Sequence, residues 1–346
     1  SRLEGALAGK PLRFMEVCGT HTVAIFRSGL RTILPKEIVH LSGPGCPVCV
    51  THESEVNAFL DLAENPKVII ATFGDLMRVP GSKSRTLKAA QADGARVSVV
   101  YSPPDALKIA AENPDSIVVF LGVGFETTAP GVAATLHMAK AQGLTNFRVL
   151  SFHKIVPPAL DALLGDPETD LDAFIMPGHV SAIIGLAPYL PVAAKYGKSA
   201  AIAGFETLVI LQALLFLAEC KRDGRAEVAN LYRRVVRDEG NPKARAMLDL
   251  VFRPSDALWR GIGNIPGSGL ELAEAYAAFD AKREFGITIT ECPPLPGCKC
   301  GDVLKGKLAP NLCPLFGKAC TPAKPVGPCM VSTEGSCAAY FKYQVD

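Results

Sequence analysis

Residues 116–142 read SIVVFLGVGFETTAPGVAATLHMAKAQ. The short apolar run Ser116–Gly122 predicts a strand, and the spacing over Ala129–Gln142 predicts a helix. This strand–turn–helix unit recurs along the first two-thirds of the chain, the signature of a parallel α/β architecture. Further strands are predicted at Arg13–Val17, Ile38–Leu41, Val68–Thr72, Val97–Tyr101, Phe147–Phe152, Ala173–Met176 and Ala200–Ala203. Helical spacing covers Glu53–Glu64, Ser84–Asp93 and Pro157–Leu164. Four strands followed by four more suggest two parallel-sheet α/β lobes, residues 12–115 and 116–204, joined near Pro114.

From Phe205 the pattern changes, with helical spacing over Glu206–Asp223, Ala226–Val236, Ala244–Val251 and Leu270–Arg283. Beyond Glu291 periodicity disappears, and Cys, Pro, Gly and Lys dominate. So little apolar material needs a metal or covalent staple to be ordered. Residues 205–346, with 1–11 as a candidate addition, are read as a partly helical, Cys-rich third domain.

Thirty-six basic and 34 acidic side chains leave a formal charge of +2, too near neutral to imply a nucleic-acid partner. Glu206 and Gln212 interrupt the apolar stretch Ala200–Cys220, which is therefore read as a buried helix and not as a membrane span. No secretory signal pattern is visible. Seven of the eleven cysteines crowd between Cys292 and Cys337, unlike a secreted disulfide scaffold. Clustered thiols in an α/β chain point to metal or redox chemistry in a reducing compartment, hence the cytoplasm.

Two constellations carry the chemistry. Cys18-Gly19-Thr20-His21-Thr22 and Gly43-Pro44-Gly45-Cys46-Pro47-Val48-Cys49 each follow a predicted strand, where parallel sheets bind ligands. Cys18, His21, Cys46 and Cys49 can therefore meet in one crevice. Three readings stand: buried unreactive thiols, a structural zinc site, or Cys18 and His21 handling a metal beside a Cys46–Cys49 redox pair. Thr51 is a candidate N-cap for the following helix. In the tail, irregularly spaced thiols on Pro-rich loops suit an iron–sulfur cluster, with zinc and disulfides as alternatives. Cys298 and Cys300, one residue apart, sit awkwardly on one cubane, which suggests four ligands and a separate pair. Glu126, His153 and His179 follow predicted strands and are cleft candidates with Thr20; His40, His52 and His137 read as local structure. Neither Gly122/Gly124 nor Gly81–Ser84 completes a nucleotide motif.

CGTHT, GPGCPVC, GFETTAP (124–130), SFHK (151–154), PGHVS (177–181) and the tail segments CPLFGKACTP and PVGPCMVSTEGSC together resemble the HypD family of hydrogenase-maturation proteins, in order and along the whole chain. The resemblance implies a [4Fe-4S] cluster on Cys298, Cys313, Cys320 and Cys337, whose separations of fourteen, six and sixteen residues match the family's. Cys300 and Cys329 are then the extra pair. It further implies iron bound transiently at Cys18, thiol redox chemistry at Cys46 and Cys49, a HypC-type chaperone partner, and cyanide received from HypE. The implied product is the Fe(CN)2CO moiety of [NiFe]-hydrogenases. The rival readings are a cluster-dependent thiol–disulfide oxidoreductase and a structural zinc protein.

Overall fold

The computed structural model describes Arg2–Tyr343. All eight expected strands form: β1 (Leu12–Glu16), β2 (Ile38–Ser42), β3 (Val68–Thr72), β4 (Val97–Val99), β5 (Ile117–Gly122), β6 (Phe147–Ser151), β7 (Ala173–Pro177) and β8 (Ser199–Ala203). A short β9 (Val228–Asn230) and an antiparallel hairpin, β10 (Phe252–Trp259) and β11 (Gly263–Leu272), complete the set. The two larger sheets are entirely parallel, ordered β2-β1-β7-β8-β9 and β4-β3-β5-β6.

The sheets do not divide near Pro114. β3–β6 form one sheet by themselves, and β7–β9 return to the sheet begun by β1 and β2. The expected lobes 12–115 and 116–204 therefore each mix strands of both sheets. Apolar runs report that a strand is buried, not which sheet it joins. The expected third domain is also redistributed. Helix Thr207–Asp223 packs on β8 and against helix Arg2–Leu7, covering the first sheet through Ile210, Leu214 and Leu217. The hairpin fastens to the second, with Ile155 N donating to Ser268 O at 2.8 Å.

Two predicted helices are corrected. Over 226–236 the chain adds β9 and then turns, because Asn230 Nδ2 donates to Val236 O and Asp238 Oδ1, both at 2.8 Å. A buried side-chain amide satisfies a turn that apolar spacing does not reveal. Over 270–283, the end of β11 is followed by a 3-10 turn (Glu274–Phe279) and a short helix (Ala281–Phe285). Thr51 ends the turn Pro47–Val50, and His52 instead caps helix Glu53–Ala63, with Glu55 closing a capping box.

One core joins the facing sides of both sheets, taking Met15 and Met176 from one and Val119 and Leu121 from the other. Trp259 of the hairpin, Cys300 and Cys329 belong to the same core. The cysteine-rich tail is thus packed onto the α/β body. Among the described residues, no helix is long and apolar enough to cross a membrane.

Candidate functional site: a crevice, a cavity and the thiols between them

Register sets the crevice. Glu16 pairs with Ser42 across β1 and β2, and Glu16 with Ile175 across β1 and β7. Loops leaving the carboxyl ends of β1, β2, β7 and β8 therefore gather at one edge. Cys18 caps helix Gly19–Arg27, and Cys46 caps the turn Pro47–Val50, its Sγ accepting from Cys49 N at 3.3 Å. The two loops touch at Gly45. A Cβ there would lie 2.1 Å from Cys18 N, and Gly19 N donates to Gly45 O at 3.0 Å.

Beneath Cys18 lies Glu16, fully buried. Its carboxylate accepts from Cys18 N at 3.0 Å and from Thr22 Oγ1 at 2.6 Å, with His40 Nε2 3.6 Å away. Above Cys18, Thr20 Oγ1 donates to Glu334 Oε1 of the tail at 2.6 Å. Burial, and secondarily the charge of Glu334, pushes the Cys18 thiol up to about 12. His21 is held down to about 4 by burial. Since Gly204 O can only accept, His21 Nε2 donates to it at 3.0 Å, which leaves Nδ1 an unprotonated, buried nitrogen with no hydrogen-bond partner among the described residues. The Phe205 ring lies between those of His21 and exposed His179, tilted against both, at 4.7 and 4.3 Å.

The second metal candidate lies in the tail. Cys298, Cys313, Cys320 and Cys337 line one small cavity, walled also by apolar side chains such as Leu315 and Phe316. A Cβ at Gly327 would lie 2.9 Å from Cys298 Sγ, and Val326 N donates to Cys320 Sγ at 3.3 Å. Among the described residues, no three His, Cys, Asp or Glu side chains surround a single point as ligands of one ion do. Four cysteines around an apolar cavity, with an N–H directed at one sulfur, are the donor set of a polynuclear iron–sulfur group. The residues present fit that cluster.

Cys300 and Cys329 border the same cavity, their Sγ atoms 2.8 Å apart. Cys329 also neighbours Cys49 and Cys337, and Cys49 neighbours Cys46, which lies beside Ser332. Sulfurs thus run from the cavity to the crevice in the order Cys300, Cys329, Cys49, Cys46. Burial raises Cys46, while the bond to Cys300 is the largest cause raising Cys329. Cys49 goes the other way. Burial pushes it up, but the bonds from Cys329 and Cys46, with the nearby charge of Arg260, together outweigh this and bring it to about 6.

The remaining candidates lie elsewhere. His153 stands behind β6 under the hairpin, its Nδ1 3.0 Å from Ser151 Oγ and its ring 5.5 Å from Phe252. Buried Glu126 accepts from Val156 N at 2.9 Å, and burial raises its carboxyl to about 7. His40 and His52 are buried, and Cys220 and Cys292 take no part in the run of thiols. Sequence reading missed Glu16, Ser332 and Glu334. A carboxylate inside the apolar run Phe14-Met15-Glu16-Val17 was the available signal for the first; the other two have none.

A two-sheet α/β body capped by a thiol-rich tail, with cysteines at both the crevice and the cavity, defines an α/β protein whose Cys-rich region is compatible with metal binding. A family model described as "HypD: Hydrogenase formation hypA family" matches residues 2–344. The hydrogenase maturation factor HypD of Rhodobacter capsulatus is 47% identical over 98% of this chain and 91% of its own. That of Escherichia coli K12 is 46% identical over 97% and 90%, and the hydrogenase expression/formation protein HupD of Azotobacter chroococcum 45% over 96% and 89%. The chain belongs to the HypD family of hydrogenase maturation factors.

Proposed function

We propose that this protein is the scaffold on which the Fe(CN)2CO moiety of [NiFe]-hydrogenases is assembled, in the cytoplasm, with a HypC-type chaperone and cyanide supplied by HypE. Iron is cargo, taken at Cys18. The Cys18 thiol, held protonated by burial, must lose its proton to bind iron, so loading releases a proton. Thr20, bonded to Glu334, orders the mouth of the crevice, and the unprotonated Nδ1 of His21 offers a base or a further ligand.

The observation that carries this reading is the run of adjacent thiols. From a Cys46–Cys49 disulfide, Cys329 attacks Cys49 Sγ as its thiol proton passes to the departing Cys46 sulfur, which leaves as a thiol beside Ser332. Cys300 then attacks Cys329 Sγ and releases Cys49. Two electrons have moved: the Cys46–Cys49 pair is reduced and Cys300–Cys329 is oxidised. A [4Fe-4S] cluster on Cys298, Cys313, Cys320 and Cys337 would supply the one-electron chemistry that restores the latter pair. Burial of both Cys46 (4% exposed) and Cys49 (1%) favours a small iron cargo over a protein disulfide as what this pair serves, and so counts against the oxidoreductase alternative.

Trapping tests the order. In Cys46→Ser, mild oxidation should join Cys49 to Cys329, and peptide mass mapping should recover that cross-link. Recovery of Cys49 linked to Cys18 instead would contradict the exchange route.

A further inference from the structure

The segment Lys305–Thr333 holds Cys313, Cys320 and Cys329 and four lysines, but no carboxylate. Lys307 is committed to Asp166 at 3.1 Å and to Glu168. Lys318 and Lys324 are exposed and form no ion pair among the described residues. Each stands on a tight turn. Phe316 bridges to Cys320 around Lys318, and Thr321 and Lys324 exchange backbone hydrogen bonds of 3.2 and 3.0 Å. Two large apolar side chains share this wall with them. Leu312 is 65% exposed beside Cys313, and Phe341 is 42% exposed, its ring 6.0 Å from that of Phe316. Helix Ser336–Tyr343 packs against the turn Pro310–Leu312, which makes the patch continuous.

The wall is thin: Cys313, Phe316 and Cys320 line the cavity while Leu312 and Lys318 face solvent. An apolar centre flanked by unpaired like charges repels a second copy of itself and attracts an acidic partner. Small, weakly apolar, charge-steered contacts are the usual form of electron-transfer encounters.

We propose that this face docks an acidic one-electron carrier protein of the ferredoxin type, which reduces the centre held in the cavity. The inference rests on the cavity being the cluster site. One electron passes per encounter: the carrier is oxidised, the cavity-bound centre is reduced, and no bond forms or breaks.

The test uses the full chain with its cluster reconstituted anaerobically and a photoreduced acidic [2Fe-2S] ferredoxin, followed by stopped flow. Lys318→Glu/Lys324→Glu should lower the second-order rate about tenfold at low salt and flatten its ionic-strength dependence, with reduction by dithionite unchanged. Titration of gallium-substituted ferredoxin reads docking without electron transfer, and its binding should be lost in the same variant. Wild-type rates and wild-type binding in the double variant would overturn the proposal. A chain that takes up no cluster, yet binds the gallium protein through Lys318 and Lys324, would contradict the cavity assignment and leave the docking face standing. Docking unaffected by salt or by charge reversal would sink the docking face alone.

Discussion

The thiol of Cys49 neighbours that of Cys329, bringing the loop after β2 to the far end of the chain. This contact places the tail against the crevice, with Glu334 reaching Thr20 and a Cβ on Gly19 meeting Glu334 O at 2.4 Å. The crevice cysteines and the tail cysteines therefore share a boundary instead of occupying separate domains. Sulfur-to-sulfur exchange needs such direct contact.

Cys313→Ala or Cys320→Ala should lose the cluster and loosen the tail. Helix Ser336–Tyr343 reaches the body mainly through a small group of Phe26, Ala339 and Tyr340, which cannot order the loops alone. Iron and sulfide content should drop sharply, and limited proteolysis should cut between residues 305 and 335. Full iron and sulfide in either variant would show that the ligand set is wrong.

Gly45→Ala should destabilise the body by about 2–4 kcal/mol, because the new methyl meets Cys18 backbone and not a movable side chain. Gly131→Ala, with nothing within 4 Å of its added Cβ, serves as the control. Denaturant midpoints measure both. A Gly45→Ala protein as stable as the control would mean that the two cysteine loops are not packed as described.

Stability should fall as pH drops from about 6.5 towards 4. Burial lowers His21 to about 4 and His153 to about 3, so the unfolded chain binds protons first. Glu126 has the opposite sign: its raised carboxyl gives up stability as pH rises through about 7. His153→Gln should flatten the acid limb of a Tm–pH profile, and Glu126→Gln the limb near neutrality. An acid limb unchanged in His153→Gln would remove that histidine from the balance.

Eight strands were legible because each is a short apolar run bounded by turns and helices. Their division between sheets was not, since β2→β3 and β6→β7 change sheet without changing pattern. The hairpin Phe252–Leu272 was missed for another reason. Its exposed residues Arg253, Pro254 and Asp256 break up the apolar signal between the buried Phe252 and Trp259. The cysteine loops after β1 and β2 were legible as neighbours because parallel strands deliver their carboxyl ends to one edge. Glu334 was not, because nothing in Ser332-Thr333-Glu334-Gly335 tells which distant helix it will meet. His153 is open between cleft and scaffold from sequence; in the fold it contacts Ser151 and Phe252 and also lines a cleft beside the hairpin.

On the proposed function, Cys18 carries iron while the tail cysteines hold a separate cluster. Anaerobic co-purification with a HypC-type chaperone from maturation-competent cells, followed by infrared spectroscopy, separates the two sites. We expect bands of metal-bound CN and CO in the wild-type complex. In Cys18→Ala those bands should vanish while cluster iron, sulfide and brown colour remain. Persistence of the bands in Cys18→Ala, or loss of the colour with them in a folded protein, would contradict the assignment.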